Sequence, residues 1–274
     1  MNWKIVADSS ANLLAEAGVV SVPLRIMVGE REFVDDTALD VPAFLDALYR
    51  HKGRSSTACP GIGDWLAAFE GADAVFAVTI TGALSGSCNA ARLAGEQYEK
   101  EHPDTKVYVL DSLSTGPEMR LLTQRIRMQL EQGEPPEQVW QDVQHDASHT
   151  RLLFSLGSLH NLAQNGRVNP AVAAAAGLLG IRVVGQASDK GELDPLHKCR
   201  GEARALETIV KEMTGRGYRG GRVHIDHCEN EDGAHRLCQL LRQRYPGCEP
   251  TVGLCGGLCS YYAERGGLLV GYEI

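Results

Sequence analysis

Aromatic residues and clusters of basic residues are both scarce in this chain of 274 residues. Phe, Trp and Tyr make up 6% of it, and no run of Lys and Arg is long enough to neutralise a row of phosphates. The formal net charge is -8. Because proteins that bind nucleic acid present basic surfaces and often stacking aromatic side chains, the sequence predicts no nucleic-acid partner.

We expect no leader segment, and the sequence contains no long apolar stretch. The strand-like segment Trp3-Lys4-Ile5-Val6 follows no basic region. The longest weakly polar stretch, residues 171–181, is shorter than the roughly 20 residues that a membrane-spanning helix needs. We therefore expect a cytoplasmic protein without stable membrane insertion.

Several motifs of metal, redox, hydrolase and nucleotide sites are missing. The eight cysteines form no Cys-x-x-Cys pair, and the chain has neither a Gly-x-Ser-x-Gly elbow nor a Gly-x-x-x-x-Gly-Lys loop. We interpret Cys255 and Cys259 as small residues in a Gly-rich packing turn. His224 and Asp226 would share one face of a strand, so a metal site there is a minor alternative to a polar cluster. The sequence predicts no catalytic group, no metal and no cofactor.

Three continuous apolar runs are present, and polar residues follow each of them. The runs and their polar ends are Lys4 to Ala7 before Asp8-Ser9-Ser10, Ala74 to Ile80 before Thr81-Gly82, and Lys106 to Leu110 before Asp111-Ser112. Such runs are typical of strands that are covered on both faces of a parallel sheet. Helical sequence follows each run, from Leu13, Asn89 and Pro117. The pattern predicts an α/β fold with an N-terminal doubly wound parallel sheet, whose polar strand ends meet at one edge.

The pattern of elements changes from about Arg151. Helices, including one over Pro170 to Leu179, are mixed with a hairpin that starts at Ile181 and with further strands. This order predicts a C-terminal α+β domain. We place the domains at residues 1–150 and 151–274.

The segment between the second apolar run and its helix is the most informative one. Unpaired amides at a helix start, with the hydroxyls of Ser85 and Ser87 on either side of Gly86, suit a carboxylate or a phosphate. An N-cap role for either serine explains the same residues equally well. A second hydroxyl-bearing loop, residues 54–61, contains Thr57 and precedes another helix.

Five short motifs, taken in order along nearly the whole chain, resemble those of the DegV family. They are Thr57-Ala58-Cys59-Pro60, Leu84-Ser85-Gly86-Ser87, Val109-Leu110-Asp111-Ser112, Asn165-Gly166-Arg167-Val168 and Lys198-Cys199-Arg200-Gly201. No single motif is specific to the family, whereas the order and spacing of all five motifs are.

The resemblance implies a fatty-acid-binding protein that buries a long acyl chain between its two domains. It also implies an ATP-dependent fatty acid kinase as partner, which phosphorylates the carboxylate that the carrier presents. Carried over to this chain, the head-group site comprises Thr57, Ser85, Gly86 and Ser87, with Arg167 supplying positive charge. Such donors would offset the desolvation of a buried carboxylate.

Two positions depart from the family pattern. Ala58 replaces a serine, and Ala263 stands where the family usually has a histidine that reaches the carboxylate. Arg265, Tyr261 and Tyr262 are candidates to replace the missing donors. Two other functions stay open. One is an α/β enzyme acting on a small carboxylate or phosphate ester in a shallow polar pocket, and the other is a ligand-free interaction module with an empty or collapsed groove.

Overall fold

The computed structural model describes residues 2–13, 16–171, 173 and 180–274. The strands are β1 Trp3–Asp8, β2 Val19–Val22, β3 Arg25–Val28, β4 Arg31–Val34, β5 Ser55–Ala58, β6 Ala74–Thr79, β7 Lys106–Asp111, β8 Thr150–Leu156, β9 Ile181–Ala187, β10 Leu193–Arg200, β11 Val223–His227, β12 Thr251–Leu254 and β13 Leu268–Glu273. The described α-helices are α1 Val41–Arg50, α2 Ile62–Phe69, α3 Ser87–Glu101, α4 Pro117–Glu131, α5 Pro136–Ala147, α6 His160–Gln164, α7 Glu202–Gly215, α8 Glu231–Arg244 and α9 Gly257–Ala263. None of these helices is long and apolar enough to cross a membrane.

The N-terminal sheet is parallel, with strand order β2-β1-β6-β7, as the apolar runs predict. Every residue of β6 is buried, because α2 and α3 cover one face of the sheet and α4 and α5 cover the other. Pro117 occupies the first turn of α4, and Gly133 follows its end at φ +85°. Both positions suit these residues, since proline needs no amide donor there and glycine tolerates positive φ.

Two further sheets complete the fold. One has three antiparallel strands in the order β4-β3-β5. The other has six strands in the order β10-β9-β8-β13-β11-β12, and only its β11–β12 pair is parallel. Helices α7 and α8 pack on one face of the six-stranded sheet, and residues of the three-stranded sheet and α1 pack on the other. The mixed α/β architecture with a parallel sheet and a second sheet region confirms the predicted fold class.

The polar ends of the parallel strands meet at one edge of the sheet, as predicted. Asp8 Oδ2 accepts a hydrogen bond of 2.9 Å from the Ile80 amide. The Gly82 amide donates to both carboxylate oxygens of Asp111 at 3.2 Å. These bonds join the carboxyl ends of β1, β6 and β7.

Two local predictions were wrong. Residues 54–61 were expected to form a loop, but Thr57 lies in β5 and is paired with Ile26 of β3. The Gly-rich segment around Cys259 was expected to be a turn, but it begins helix α9. Both elements are stabilised by residues that are distant in sequence, β5 by its pairing with β3 and α9 by hydrogen bonds to Asp35, so a local pattern does not indicate them. The helices predicted from Leu13 and over residues 170–179 fall partly outside the described residues.

The two halves of the chain are interlocked. Helix α4 packs closely on β13, where a Cβ at Gly271 would lie 2.5 Å from the Glu118 amide nitrogen. One hydrophobic cluster joins Ile26 and Phe44 of the first half to Leu152 and Phe154 of the second. The boundary near residue 150 stays a prediction.

Candidate functional site

A cavity of about 300 Å³ lies between the three-stranded sheet, the loop that follows β6, and one face of the six-stranded sheet. Its walls are mostly apolar. Among the described residues, ten leucine, isoleucine and phenylalanine side chains line it: Leu24, Ile80, Leu84, Leu152, Phe154, Leu156, Leu162, Leu193, Leu258 and Leu269. Predominantly apolar walls with a few polar groups are typical of a site for a small organic ligand.

Strand β8 supplies three of these lining side chains, because successive side chains of a strand point to opposite faces of the sheet. Leu152, Phe154 and Leu156 belong to the cluster on the cavity side, whereas Leu153 belongs to the cluster under α7 and α8. The ring of Phe154 fits only because residue 185 is glycine, since a Cβ there would lie 2.3 Å from the ring. The shape of the cavity therefore depends on this contact.

Four of the five predicted site residues line this one cavity: Thr57, Ser85, Gly86 and Arg167. Three of them, Ser85, Gly86 and Arg167, also border a more polar cleft of about 420 Å³ that contains Asn89 and Arg92. The cavity and the cleft thus share a border. We use the name polar mouth for this border together with the side chain of Thr57, which lines the same cavity.

Ser85 is half-buried in the loop before α3. Its Oγ accepts a bond of 3.3 Å from the amide of Ser87, the first residue of the helix. Because Oγ only accepts here, the hydroxyl proton remains available to another acceptor. The capping role and a ligand role for Ser85, which the sequence left as alternatives, are therefore compatible.

Ser87 is placed differently from the other four predicted residues. It is completely buried, and its hydroxyl donates to Asp8 Oδ2 at 2.7 Å. Asp8 is also buried, and desolvation raises the pKa of its carboxyl despite the donors of Ser10, Ser87 and Ile80. Ser87 thus stabilises the base of the loop rather than lining the cavity.

Helix α9 brings a tyrosine to the site that the sequence suggested only as a substitute donor. Tyr262 lines the cavity, and its hydroxyl lies 2.8 Å from Thr57 Oγ1. The helix is held from the first half of the chain, because Asp35 accepts from the amides of Gly257 at 2.6 Å and Leu258 at 3.0 Å. Asp35 is fully buried, and desolvation raises the pKa of its carboxyl to about 6.

The other two substitute donors are used elsewhere. The Tyr261 hydroxyl bonds Ser55 and Asn165 at 2.8 and 2.9 Å. Arg265 is exposed and forms an ion pair of 2.9 Å with Asp46. Tyr262 is therefore the candidate that reaches the cavity.

The possible metal ligands form a hydrogen-bonded cluster instead. His224 Nε2 lies 3.0 Å from Asp226 Oδ1, and Asn12 Nδ2 donates to Asp226 Oδ2 at 2.7 Å. Across the residues that the structure describes, no group of three or more His, Cys, Asp or Glu side chains could hold a metal ion. The polar-cluster interpretation of this pair fits the geometry.

Comparisons with known proteins agree with the motifs. The sequence model of the DegV family, described as a family of uncharacterised proteins, matches residues 2–273. The chain belongs to the DegV family. A DegV domain-containing protein of Streptococcus pneumoniae is 41% identical over 280 residues, with 100% of both chains covered.

Solved structures of other DegV proteins are also similar to this one. A DegV protein from Eubacterium eligens, loaded with heptadecanoic acid, is 45% identical, with a TM-score of 0.96 and 99% of each chain covered. The Streptococcus pneumoniae fatty acid kinase (Fak) B3 protein, loaded with linoleic acid, is 41% identical, with a TM-score of 0.98 and 100% of each chain covered. A fatty-acid-binding protein of Thermotoga maritima is 25% identical, with a TM-score of 0.87, and covers 100% of this chain and 99% of its own.

Proposed function

We propose that this DegV protein binds one long-chain fatty acid, with the hydrocarbon tail in the cavity and the carboxylate at the polar mouth. The observation that carries the proposal is the combination, in one cavity, of apolar walls with the polar side chains of Thr57, Ser85 and Arg167. Burial of each CH₂ group contributes roughly 0.8 kcal/mol, so a long unbranched chain would gain much of its affinity from such walls. The fatty acids bound by the relatives support the same ligand class.

The polar mouth offers the donors that a carboxylate needs. The Ser85 hydroxyl can donate one hydrogen bond, and the hydroxyl pair of Thr57 and Tyr262 has one further proton to donate. The Arg167 guanidinium adds positive charge. Arg167 follows Gly166, which has φ +72°, and Nη1 donates to the Asn165 carbonyl at 2.8 Å. That bond uses one guanidinium donor and leaves others for an anion.

We further propose that the protein presents the carboxylate to an ATP-dependent fatty acid kinase in the cytoplasm and performs no chemistry itself. The kinase name of the pneumococcal relative supports such a partner. The polar cleft beside the mouth, with Asn89, Arg92 and Arg167, gives a second protein a route to the head group. Binding and presentation in this scheme require no cofactor.

The shape of the cavity argues against an enzyme for a small polar substrate and against a module with a collapsed groove. An enzyme for a small polar substrate was expected to have a shallow polar pocket, whereas the walls here are mainly apolar. A module without a ligand was expected to have an empty or collapsed groove, and the open cavity of about 300 Å³ excludes the collapsed form. A lipid carrier accounts for both features.

The head-group site can be tested with the double variant Thr57→Ala/Ser85→Ala. We expect at least a tenfold rise in the Kd for heptadecanoic acid, because hydrogen bonds to a charged group contribute about 1.5–3 kcal/mol each. Isothermal titration or displacement of a fluorescent fatty acid measures the change. Ser56→Ala is the matched control, since Ser56 is exposed and neighbours Thr57 on the opposite face of β5. An unchanged Kd in a folded double variant would exclude this head-group site.

A further inference from the structure

Two consecutive tyrosines of α9 pair with two hydroxyl residues of β5. Tyr261 bonds Ser55, and Tyr262 bonds Thr57, each at 2.8 Å. Ser55 and Thr57 lie two residues apart, so their side chains point to the same face of the strand. The tyrosine rings pack edge to face, with centroids 4.8 Å apart. Only the second pair, Thr57 and Tyr262, lines the cavity.

The first pair and the start of α9 fix the position of the second. Tyr261 is fully buried, and its hydroxyl also contacts Asn165 at 2.9 Å. Asp35 holds the first amides of the helix, as described above. The phenol of Tyr262 is therefore presented to the cavity by an anchored helix. The residue after it, Ala263, also lines the cavity but has no polar side-chain atom.

The number of donors determines what the Thr57–Tyr262 pair can do. Each hydroxyl carries one proton, and the bond between them uses one of the two. One O–H therefore remains for a further acceptor. A carboxylate ion can only accept, so it is a suitable partner. Burial raises the pKa of Tyr262, which keeps the phenol protonated at neutral pH.

We propose that Tyr262 is a head-group ligand of the bound fatty acid. Its phenol donates to the carboxylate while Thr57 donates to the phenolic oxygen. In this arrangement Tyr262 supplies the donor that Ala263 cannot provide. The phenol is a stronger donor than an aliphatic hydroxyl because it is more acidic, and a bond to a charged acceptor is stronger than one to a neutral acceptor. The inference rests on the proposed binding of a fatty acid at the polar mouth.

The variant Tyr262→Phe tests this role with two probes, heptadecanoic acid and its methyl ester. The variant keeps the aromatic ring and removes only the hydroxyl. We expect the Kd for the acid to rise at least tenfold and the Kd for the ester, which has no negative charge, to stay within twofold of the parent value. Tyr272→Phe is the matched control, because the Tyr272 hydroxyl is buried without a hydrogen-bond partner among the described residues and its ring lies in the cluster under α7 and α8. We expect its Kd for the acid to stay within threefold of the parent value.

Three results would overturn the role of Tyr262. The first is an equal loss of affinity for acid and ester, and the second is an equal effect of Tyr272→Phe, because either would show that the loss is not specific to the carboxylate contact. The third is an unchanged Kd in Tyr262→Phe combined with weaker binding by Thr57→Ala/Ser85→Ala, which would leave the proposed function standing. A parent protein that binds neither probe would contradict the proposed function itself.

Discussion

Replacing Glu118 by Gln is expected to stabilise the protein above neutral pH. Glu118, in the first turn of α4, is 4% exposed, and desolvation raises the pKa of its carboxyl from the ordinary 4.5 to about 7. The Thr150 hydroxyl donates to it at 2.8 Å, and Arg151 is the nearby cation, yet burial outweighs both. An ionised glutamate at this position is therefore unfavourable in the folded state.

The sign of the pH effect follows from the raised pKa. Between pH 4.5 and about 7 the folded protein holds this proton more tightly than the unfolded chain, so the contribution of Glu118 to stability falls as pH rises. At roughly 1.4 kcal/mol per pKa unit, the full loss is about 3 kcal/mol. Gln stays neutral and can still accept from Thr150. We therefore expect equal stabilities below pH 4.5 and a variant more stable by about 3 kcal/mol at pH 8.

Urea unfolding at pH 4, 6 and 8 measures this difference. Glu101→Gln is the control, because Glu101 is exposed near the end of α3, and its curves should follow those of the parent. The free energy of unfolding of Glu118→Gln should diverge from the parent value as pH rises. A constant difference across the three pH values would show that Glu118 does not titrate in this range.

Replacing Gly185 by Ala is expected to weaken both the fold and lipid binding. The added methyl group would lie 2.3 Å from the ring of Phe154 and 2.6 Å from the Asp194 carbonyl oxygen. Both distances are too short, so the ring has to move, and Phe154 lines the cavity. Overpacking of this kind costs about 1–3 kcal/mol. We expect the Kd for heptadecanoic acid to rise at least tenfold as the ring enters the cavity.

Gly157→Ala is the matched control for this experiment. Gly157 follows the end of β8, and a Cβ there meets no atom of the described residues within 4 Å. Its stability by thermal unfolding and its Kd should stay close to those of the parent. A Gly185→Ala protein with normal affinity would indicate that Phe154 moves away from the cavity or that the acyl chain does not reach it.

The fold and the grouping of four candidate residues around one cavity were predictable because their signals are local or ordered along the chain. Continuous apolar runs with polar ends indicate a covered parallel sheet, and the structure has one. Thr57, Ser85, Gly86 and Arg167 each belong to a short motif, and all four line the cavity. The resemblance carried by these motifs placed the four residues in one predicted site.

The remaining features depend on contacts that no local pattern encodes. Ser87 looked equivalent to Ser85, yet its hydroxyl bonds Asp8, 79 positions away in the chain. Helix α9 starts in a glycine-rich segment, and its carboxylate cap, Asp35, precedes it by 222 positions. Tyr262 joins the site only because that helix lies against β5. Sequence composition cannot supply such pairings.

Native mass spectrometry of the freshly purified protein, followed by extraction and identification of what is released, tests the central claim most directly. We predict one long-chain fatty acid per protein molecule. Protein that is purified without a bound lipid should take up one equivalent of added heptadecanoic acid. A protein that carries no lipid and ignores added fatty acids would contradict the account, and the apolar cavity would then need another occupant.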